Sequence, residues 1–135
     1  MNLQEPVVEF MDERNIILVD AWSIATSAGI ISVLPGATSD GASTPEIIWS
    51  LPGFNPFEGD TFPAAFAHDQ LYAGELCPRE QADQVLKELL IANGVSWERA
   101  ETYWAAVREF GGNVWNTHTP EGIALARKFA TLTKI

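Results

Sequence analysis

Cysteine and basic residues are the scarce components of this chain, and each scarcity excludes something. A single cysteine, Cys77, leaves no partner for an intrachain disulfide and no basis for a Cys-rich zinc cluster. It fits a reducing compartment. Lys and Arg number 8 against 18 Asp and Glu, for a formal net charge of −10. Affinity for nucleic acid rests on Lys and Arg neutralising phosphates, so no nucleic-acid partner is expected, and an anionic membrane surface is disfavoured for the same reason. No basic segment leads into an apolar one at the start, and no apolar run approaches the ~20 residues that span a bilayer. Neither a signal peptide nor membrane insertion is expected.

What the chain has is material for a core. Its 135 residues suit one domain, and an apolar fraction of 47% with five tryptophans argues for a folded protein. Val7-Val8-Glu9-Phe10 reads as a short strand. The branched run Asn15 to Trp22 reads as a longer one, and Gly29 to Leu34 as its hairpin partner across Thr26-Ser27-Ala28-Gly29. Pro35-Gly36 ends that strand. A helical turn is expected over Glu46 to Leu51, then a loop that Phe54 and Phe57 pin to the body. The next helix starts at Asp60 or Thr61, with Pro63 in its first turn.

Pro78 opens a helix to about Asn93, closed by Gly94. Ser96 caps another, with Trp97, Ala100, Tyr103, Trp104, Val107 and Phe110 as its apolar seam and Gly111-Gly112 as its stop. Thr119-Pro120-Glu121 opens a last helix to about Leu132. The expected fold is α+β. A small N-terminal β-hairpin or sheet (about residues 1–50) precedes a bundle of about four helices (about 60–135), all in one domain, 1–135.

The chemistry-bearing residues fall in three stretches: Asp40 with Ser43, then His68, Asp69 and Tyr72, then Asp83. The middle group interrupts a helix otherwise made of small and apolar residues, where polar side chains are costly to bury without partners. A short connection, Ala73 to Cys77, predicts that the following helix runs antiparallel and returns Asp83 toward His68 or Asp69. Two readings stay open. The groups form a catalytic site, with His68 as base, Asp83 or Asp40 orienting it and Tyr72 positioning; or they form a satisfied buried polar network that only specifies the fold. Asp69 with His68 is also a candidate metal site. Oxygen-rich ligation favours calcium or magnesium, and one His among carboxylates leaves zinc or manganese open. Ser43 is the weaker candidate nucleophile, because it lacks the G-x-S-x-G setting. Cys77 reads as a buried or capping thiol, His118 as a loop histidine, and Trp97, Tyr103 and Trp104 as core.

The run Val33-Leu34-Pro35-Gly36, Ser39-Asp40-Gly41-Ala42-Ser43-Thr44-Pro45, His68-Asp69-Gln70-Leu71-Tyr72 and Arg79-Glu80-Gln81-Ala82-Asp83 resembles domain-of-unknown-function family 1353, in order and spacing, from about Ala21 to Phe110. Val107 to Gly111 resembles the family's closing helix. Three positions depart from the pattern: Ala37 stands for Phe, Ser39 for Thr, and Glu46 for a basic residue, so no role of that basic residue carries over. The resemblance singles out Asp40, Ser43, His68, Asp69, Tyr72, Arg79 and Asp83, and implies a phage or prophage setting. A local likeness to the helical H-D-x-C-Y motif of secreted phospholipases A2 covers only His68, Asp69, Tyr72 and Asp83.

The resemblance thus implies a phage- or prophage-encoded protein, made in the host cytoplasm and carried in the virion if it is a tail or minor virion component. Its partners would be other phage structural proteins. The alternative is a small accessory hydrolase acting on a cell-envelope substrate, with or without a divalent cation.

Overall fold

Strands come first and in short pieces. The computed structural model describes residues 3–134, so the expectation of one domain over 1–135 extends beyond the described residues at both ends. β1 (Val8–Phe10), β2 (Ile16–Leu18) and β5 (Thr38–Ser39) form one antiparallel sheet in the order β1-β2-β5; β3 (Trp22–Thr26), β4 (Gly29–Val33) and β6 (Ala130–Thr133) form a second in the order β3-β4-β6. Five helices follow or interrupt them: α1 (Glu46–Trp49), α2 (Phe62–Ala73), α3 (Arg79–Ala92), α4 (Trp97–Trp115) and α5 (Pro120–Arg127). The fold is α+β with a strand-rich N-terminal region.

Alternation along the strands sets which face is buried. Ile16 and Leu18 point inward, as do Gly29, Ile31 and Val33 with Trp22 opposite Val33. The run expected as one strand from Asn15 to Trp22 is two. It breaks at exposed Val19 and Asp20, and each piece joins a different sheet. The hairpin therefore pairs Trp22–Thr26, not Asn15–Trp22, with Gly29–Val33. Its turn is tied by the Thr26 hydroxyl, which donates to the Gly29 carbonyl at 2.8 Å.

The last helix is also shorter than its apolar pattern predicts. α5 ends at Arg127, and Ala130–Thr133 extends along the free edge of β4, with Val33 opposite Ala130 and Ile30 opposite Thr133. The β-branched threonines suit a strand, and pairing satisfies backbone groups that an open edge would leave bare. Gly29 makes room for this strand: a Cβ there would sit 2.5 Å from the Thr133 carbonyl oxygen.

α2 is the centre. Every residue from Phe62 to Tyr72 is buried, the mark of a helix packed on all sides. It lies against α3, which in turn lies against α4, while Trp22 meets Phe66 edge-on at 5.6 Å to join the second sheet to the helices. The expected start at Asp60 or Thr61 is right in place but not in mechanism. Thr61 bonds the backbone of Asn55 and Asp60 pairs with Arg99, so neither side chain caps the helix. Ser96 and Thr119 do cap α4 and α5, accepting from Arg99 N and Gly122 N.

α4 departs from expectation twice. Ala100, Tyr103 and Val107 are buried, but Trp97 and Phe110 are exposed; Trp97 and Trp104 instead flank the Lys87 ammonium at 5.3 and 5.1 Å. Gly111-Gly112 does not stop the helix, which runs on to Trp115. The loop aromatics do anchor their segment, Phe54 against Tyr103 at 5.0 Å and Phe57 against Trp49 and Phe10.

Candidate functional site

The antiparallel return of α3 beside α2 brings Asp83 against His68. The two lie 2.7 Å apart, Nε2 to Oδ1, with both side chains fully buried. Asp83 sits on the apolar stripe of α3 among Ala82, Val85 and Leu86, where a bare carboxylate would be prohibitively costly. It is therefore surrounded by donors. Tyr72 donates its hydroxyl to Oδ1 at 2.7 Å, Arg108 donates to Oδ2 at 2.6 Å, and the Arg79 guanidinium lies 3.5 Å from Oδ2, one helical turn earlier. Burial pushes the Asp83 carboxyl up, but the hydrogen bond from His68, with those from Tyr72 and Arg108, outweighs it and holds it below the usual carboxylate range. Tyr72 moves the other way: burial, then the neighbouring Asp83 charge, raise its hydroxyl well above the ordinary tyrosine value.

An ionised Asp83 fixes the tautomer of His68. Nε2 carries the proton and donates to Oδ1, which leaves Nδ1 as an acceptor. Ser43 Oγ is 3.1 Å from Nδ1. The serine hydroxyl then donates to the imidazole, and a continuous line runs from Ser43 through His68 to Asp83. The loop before α1 delivers Ser43 to this point, and its backbone is held there by Asp69: Oδ1 accepts from Ser43 N at 3.2 Å. Asp69 is itself almost wholly buried. Burial raises its pKa, opposed by hydrogen bonds from Ser39 and Ser43.

Two glycine-related details show how tightly the parts meet. Gly111 lies inside α4 because Tyr72 and Arg79 press on it; a Cβ there would stand 2.8 Å from the Tyr72 hydroxyl and 3.0 Å from Arg79 Nη1. That same Arg79 donates to the carbonyls of Val107 and Arg108, which locks α3 to α4 behind the carboxylate. Glu75, by contrast, adopts the left-handed conformation (φ 44°) at the end of α2 where glycine is the usual occupant. Such a residue costs roughly 1 kcal/mol of backbone strain. Its carboxylate meets His118 Nδ1 at 2.9 Å, and Arg127 bonds the Gly74 and Glu75 carbonyls from α5.

A cavity of about 340 Å³ opens on the Ser43 side of this line. Ser39, Asp40, Ser43, Asp69 and Tyr72 line one wall, and Val114, Thr117, His118, Thr119 and Ile123 the other; no Lys or Arg is among its lining residues. His68 lies behind Ser43 rather than in the wall. A second depression, of about 520 Å³ and lined by Arg14, Glu46 and Trp49, shares Asn15, Asp40, Ala42 and Val114 with the first.

Of the residues singled out by sequence, Ser43, His68, Tyr72 and Asp83 are joined by hydrogen bonds, and Asp69 reaches them through the Ser43 backbone. Asp40 does not orient His68. It is exposed and accepts from Ala42 N, leaving Asp83 alone in that role. The Asp69–His68 metal site is not assembled either, since both ring nitrogens of His68 face Asp83 and Ser43 while Asp69 turns to the loop. Among the described residues no three His, Cys, Asp or Glu side chains converge to hold an ion. Glu46, which stands where the family pattern has a basic residue, pairs with Arg14. Cys77 is half-buried, and burial, aided by the Asp83 charge, pushes its thiol up to about 11, away from nucleophilic use. Sequence reasoning missed Arg108 and the Glu75–His118 pair. The signal for Arg108 was charge balance, since a buried Asp with one His and one Tyr still lacks a counter-charge.

Fold and site together define an α+β protein with a buried Ser–His–Asp line set on a central helix. A family model described as "Protein of unknown function (DUF1353)" matches residues 16–107, and the chain belongs to that family. No curated protein matches the chain, and no solved structure does. Ser43, His68, Asp69, Tyr72 and Asp83 all fall inside the matched segment; the opposite cavity wall, from Val114 onward, lies outside it. Among the described residues no helix is long and apolar enough to cross a membrane.

Proposed function

We propose that the chain is a small hydrolase in which Ser43 is the nucleophile, His68 its general base and Asp83 the carboxylate that sets the tautomer of His68. The observation that carries this reading is the hydrogen-bonded line Ser43–His68–Asp83, 3.1 and 2.7 Å, ending at a cavity. The environments of the two carboxylates support it: Asp83 is held below its usual range as an acceptor, while burial raises Asp69 beside the cavity. Ser43 attacks an acyl carbon as its proton passes to His68 Nδ1, where Asp83 stabilises the imidazolium; the carbon–leaving-group bond then breaks to give an acyl-Ser43. Water attacks the acyl carbon, and the Ser43 Oγ–carbon bond breaks as His68 returns its proton to Oγ. Tyr72, Arg79 and Arg108 hold Asp83 in place.

The substrate class follows from the lining. With Asp40 and Asp69 in the wall and no Lys or Arg, the cavity suits a neutral or cationic ester or amide rather than a phosphate or carboxylate. The adjoining depression gives an extended substrate a second place to lie. In the phage setting implied by the family resemblance, an ester or amide of the cell envelope is a consistent target. The second reading, a virion or tail component, has one observation in its favour: Val7, Phe10 and Met11 expose apolar surface along the edge strand β1.

The test is covalent labelling with a fluorophosphonate, read by intact mass and peptide mapping. One adduct on Ser43, absent in Ser43→Ala with an unchanged melting temperature, is the expected outcome. No adduct on Ser43, with no turnover of an ester and amide panel, would sink the hydrolase and leave the virion reading.

A further inference from the structure

His68 has no route to a leaving group. It is wholly buried, does not line the cavity, and has both nitrogens engaged, by Ser43 and Asp83. In a hydrolase of the usual kind the same imidazole that takes the nucleophile's proton returns it to the departing atom. The cavity that Ser43 lines carries a second imidazole. His118 lines the cavity with Ser43. Its Nδ1 is held by Glu75 at 2.9 Å, its ring lies 5.6 Å from that of Trp115, and Nε2 has no protein partner among the described residues. A carboxylate on Nδ1 is the arrangement that orients an imidazole. The backbone points the same way. Glu75 occupies a left-handed position where glycine would be unstrained, and its side chain is what a glycine would lack.

We propose that His118 is a second catalytic histidine, which protonates the leaving group from the wall opposite Ser43, with Glu75 as its positioning residue. This rests on the hydrolase reading above. In acylation the Ser43 Oγ–carbon bond forms as its proton moves to His68 Nδ1, and the carbon–leaving-group bond breaks as the leaving atom takes the proton from His118 Nε2. In deacylation the now neutral His118 removes a proton from water, the hydroxide oxygen bonds to the acyl carbon, and Ser43 departs with the proton held on His68. Both imidazoles return to their starting state. The separation of the two duties between two histidines also explains how a fully buried base serves an open cavity. His118 and its wall lie outside the family-matched residues, so this half of the chemistry belongs to the part of the chain that the family model does not describe.

The experiment compares wild type, His118→Gln and Glu75→Gln on two series of esters that share an acyl group, one with activated aryl leaving groups and one with alkyl leaving groups. An aryl oxide departs without a proton, so His118→Gln is expected to leave the acylation rate on aryl esters, read in single turnover as leaving-group release, within about 3-fold while acylation by alkyl esters falls by about 100-fold or more, the low end of general-acid catalysis; deacylation, common to both series, slows alike in each. Glu75→Gln is expected to show the same pattern, weaker. Fluorophosphonate labelling of Ser43 runs alongside in all three proteins. If labelling persists and His118→Gln slows acylation by both series equally, or by neither, the proposal is overturned while Ser43 stands as nucleophile. If wild type is not labelled, the hydrolase reading falls and this proposal with it. A melting temperature for each variant separates lost folding from lost chemistry.

Discussion

The two walls of the cavity are built by opposite means. Behind Ser43, one carboxylate gathers a histidine, a tyrosine and two arginines in a space closed to water, and nearly every polar atom has a partner within the protein. Across the gap, Thr117, His118 and Thr119 come from the corner between α4 and α5 and Ile123 from α5; the threonines are open to solvent, His118 and Ile123 half-buried, and the corner is tied down through Glu75 and Arg127. The first wall is rigid because an unsatisfied group there is so costly. The second keeps groups free to meet something else. Rigidity behind and availability in front is what a site needs if one side prepares a nucleophile and the other receives a substrate.

Substitutions on the rigid wall should break this contrast hardest. Asp83→Asn keeps the shape but removes the charge facing two guanidinium groups, and is expected to cost about 3–5 kcal/mol in urea unfolding, the range for one lost partner of a buried ion pair. Gly111→Ala improves helix propensity, yet its methyl group must displace the Tyr72 hydroxyl or Arg79. A net loss of about 1–3 kcal/mol is expected, typical of overpacking. A gain in stability would show that the contact yields freely.

The smallest effect is a matter of pH. Asp69 has a raised folded-state pKa, so the stability it contributes is fully present below the unfolded carboxyl value and is lost as pH rises through the folded one. Asp83 has a lowered one, so its contribution is present above the unfolded value and lost as pH falls through the folded one. Melting temperature against pH should thus decline on both sides, and Asp69→Asn should flatten the rising-pH side alone. An unchanged profile would mean that Asp69 is ionised throughout.

The residues that made this site were legible wherever spacing alone decided the geometry. Asp83 follows α2 by a short turn and a first helical turn, so its return to His68 could be read from chain length. The fold class was legible too, since the first-turn proline of α2, the apolar period of α3 and the Ser96 cap of α4 mark three helices. What escaped was set by distant contacts. Gly111 looks like a helix stop, and only the Tyr72 hydroxyl resting on it explains why the helix continues. Ala130 to Thr133 fits a helical end until β4 offers an edge. Asp40 looked as well placed as Ser43, yet its side chain bonds its own loop. His118 looked ordinary because its partner Glu75 lies 43 residues away and is marked only by a backbone angle.

The strand β6 has a bearing on how the molecule comes into being. Sheet pairing between β4 and β6 joins stretches separated by most of the chain, the kind of contact whose loop-closure cost slows folding. During synthesis the elements carrying Ser43, His68 and Asp83 emerge well before residues 130–133, and α4 with its Arg108 can complete the buried cluster without them. The wall at α5, already tied through Glu75 and Arg127, gains a last fastening when β6 finds its edge. The buried Ser43–His68–Asp83 line therefore lies wholly in the part of the chain made first, and the corner that carries His118, with the strand behind it, in the part made last.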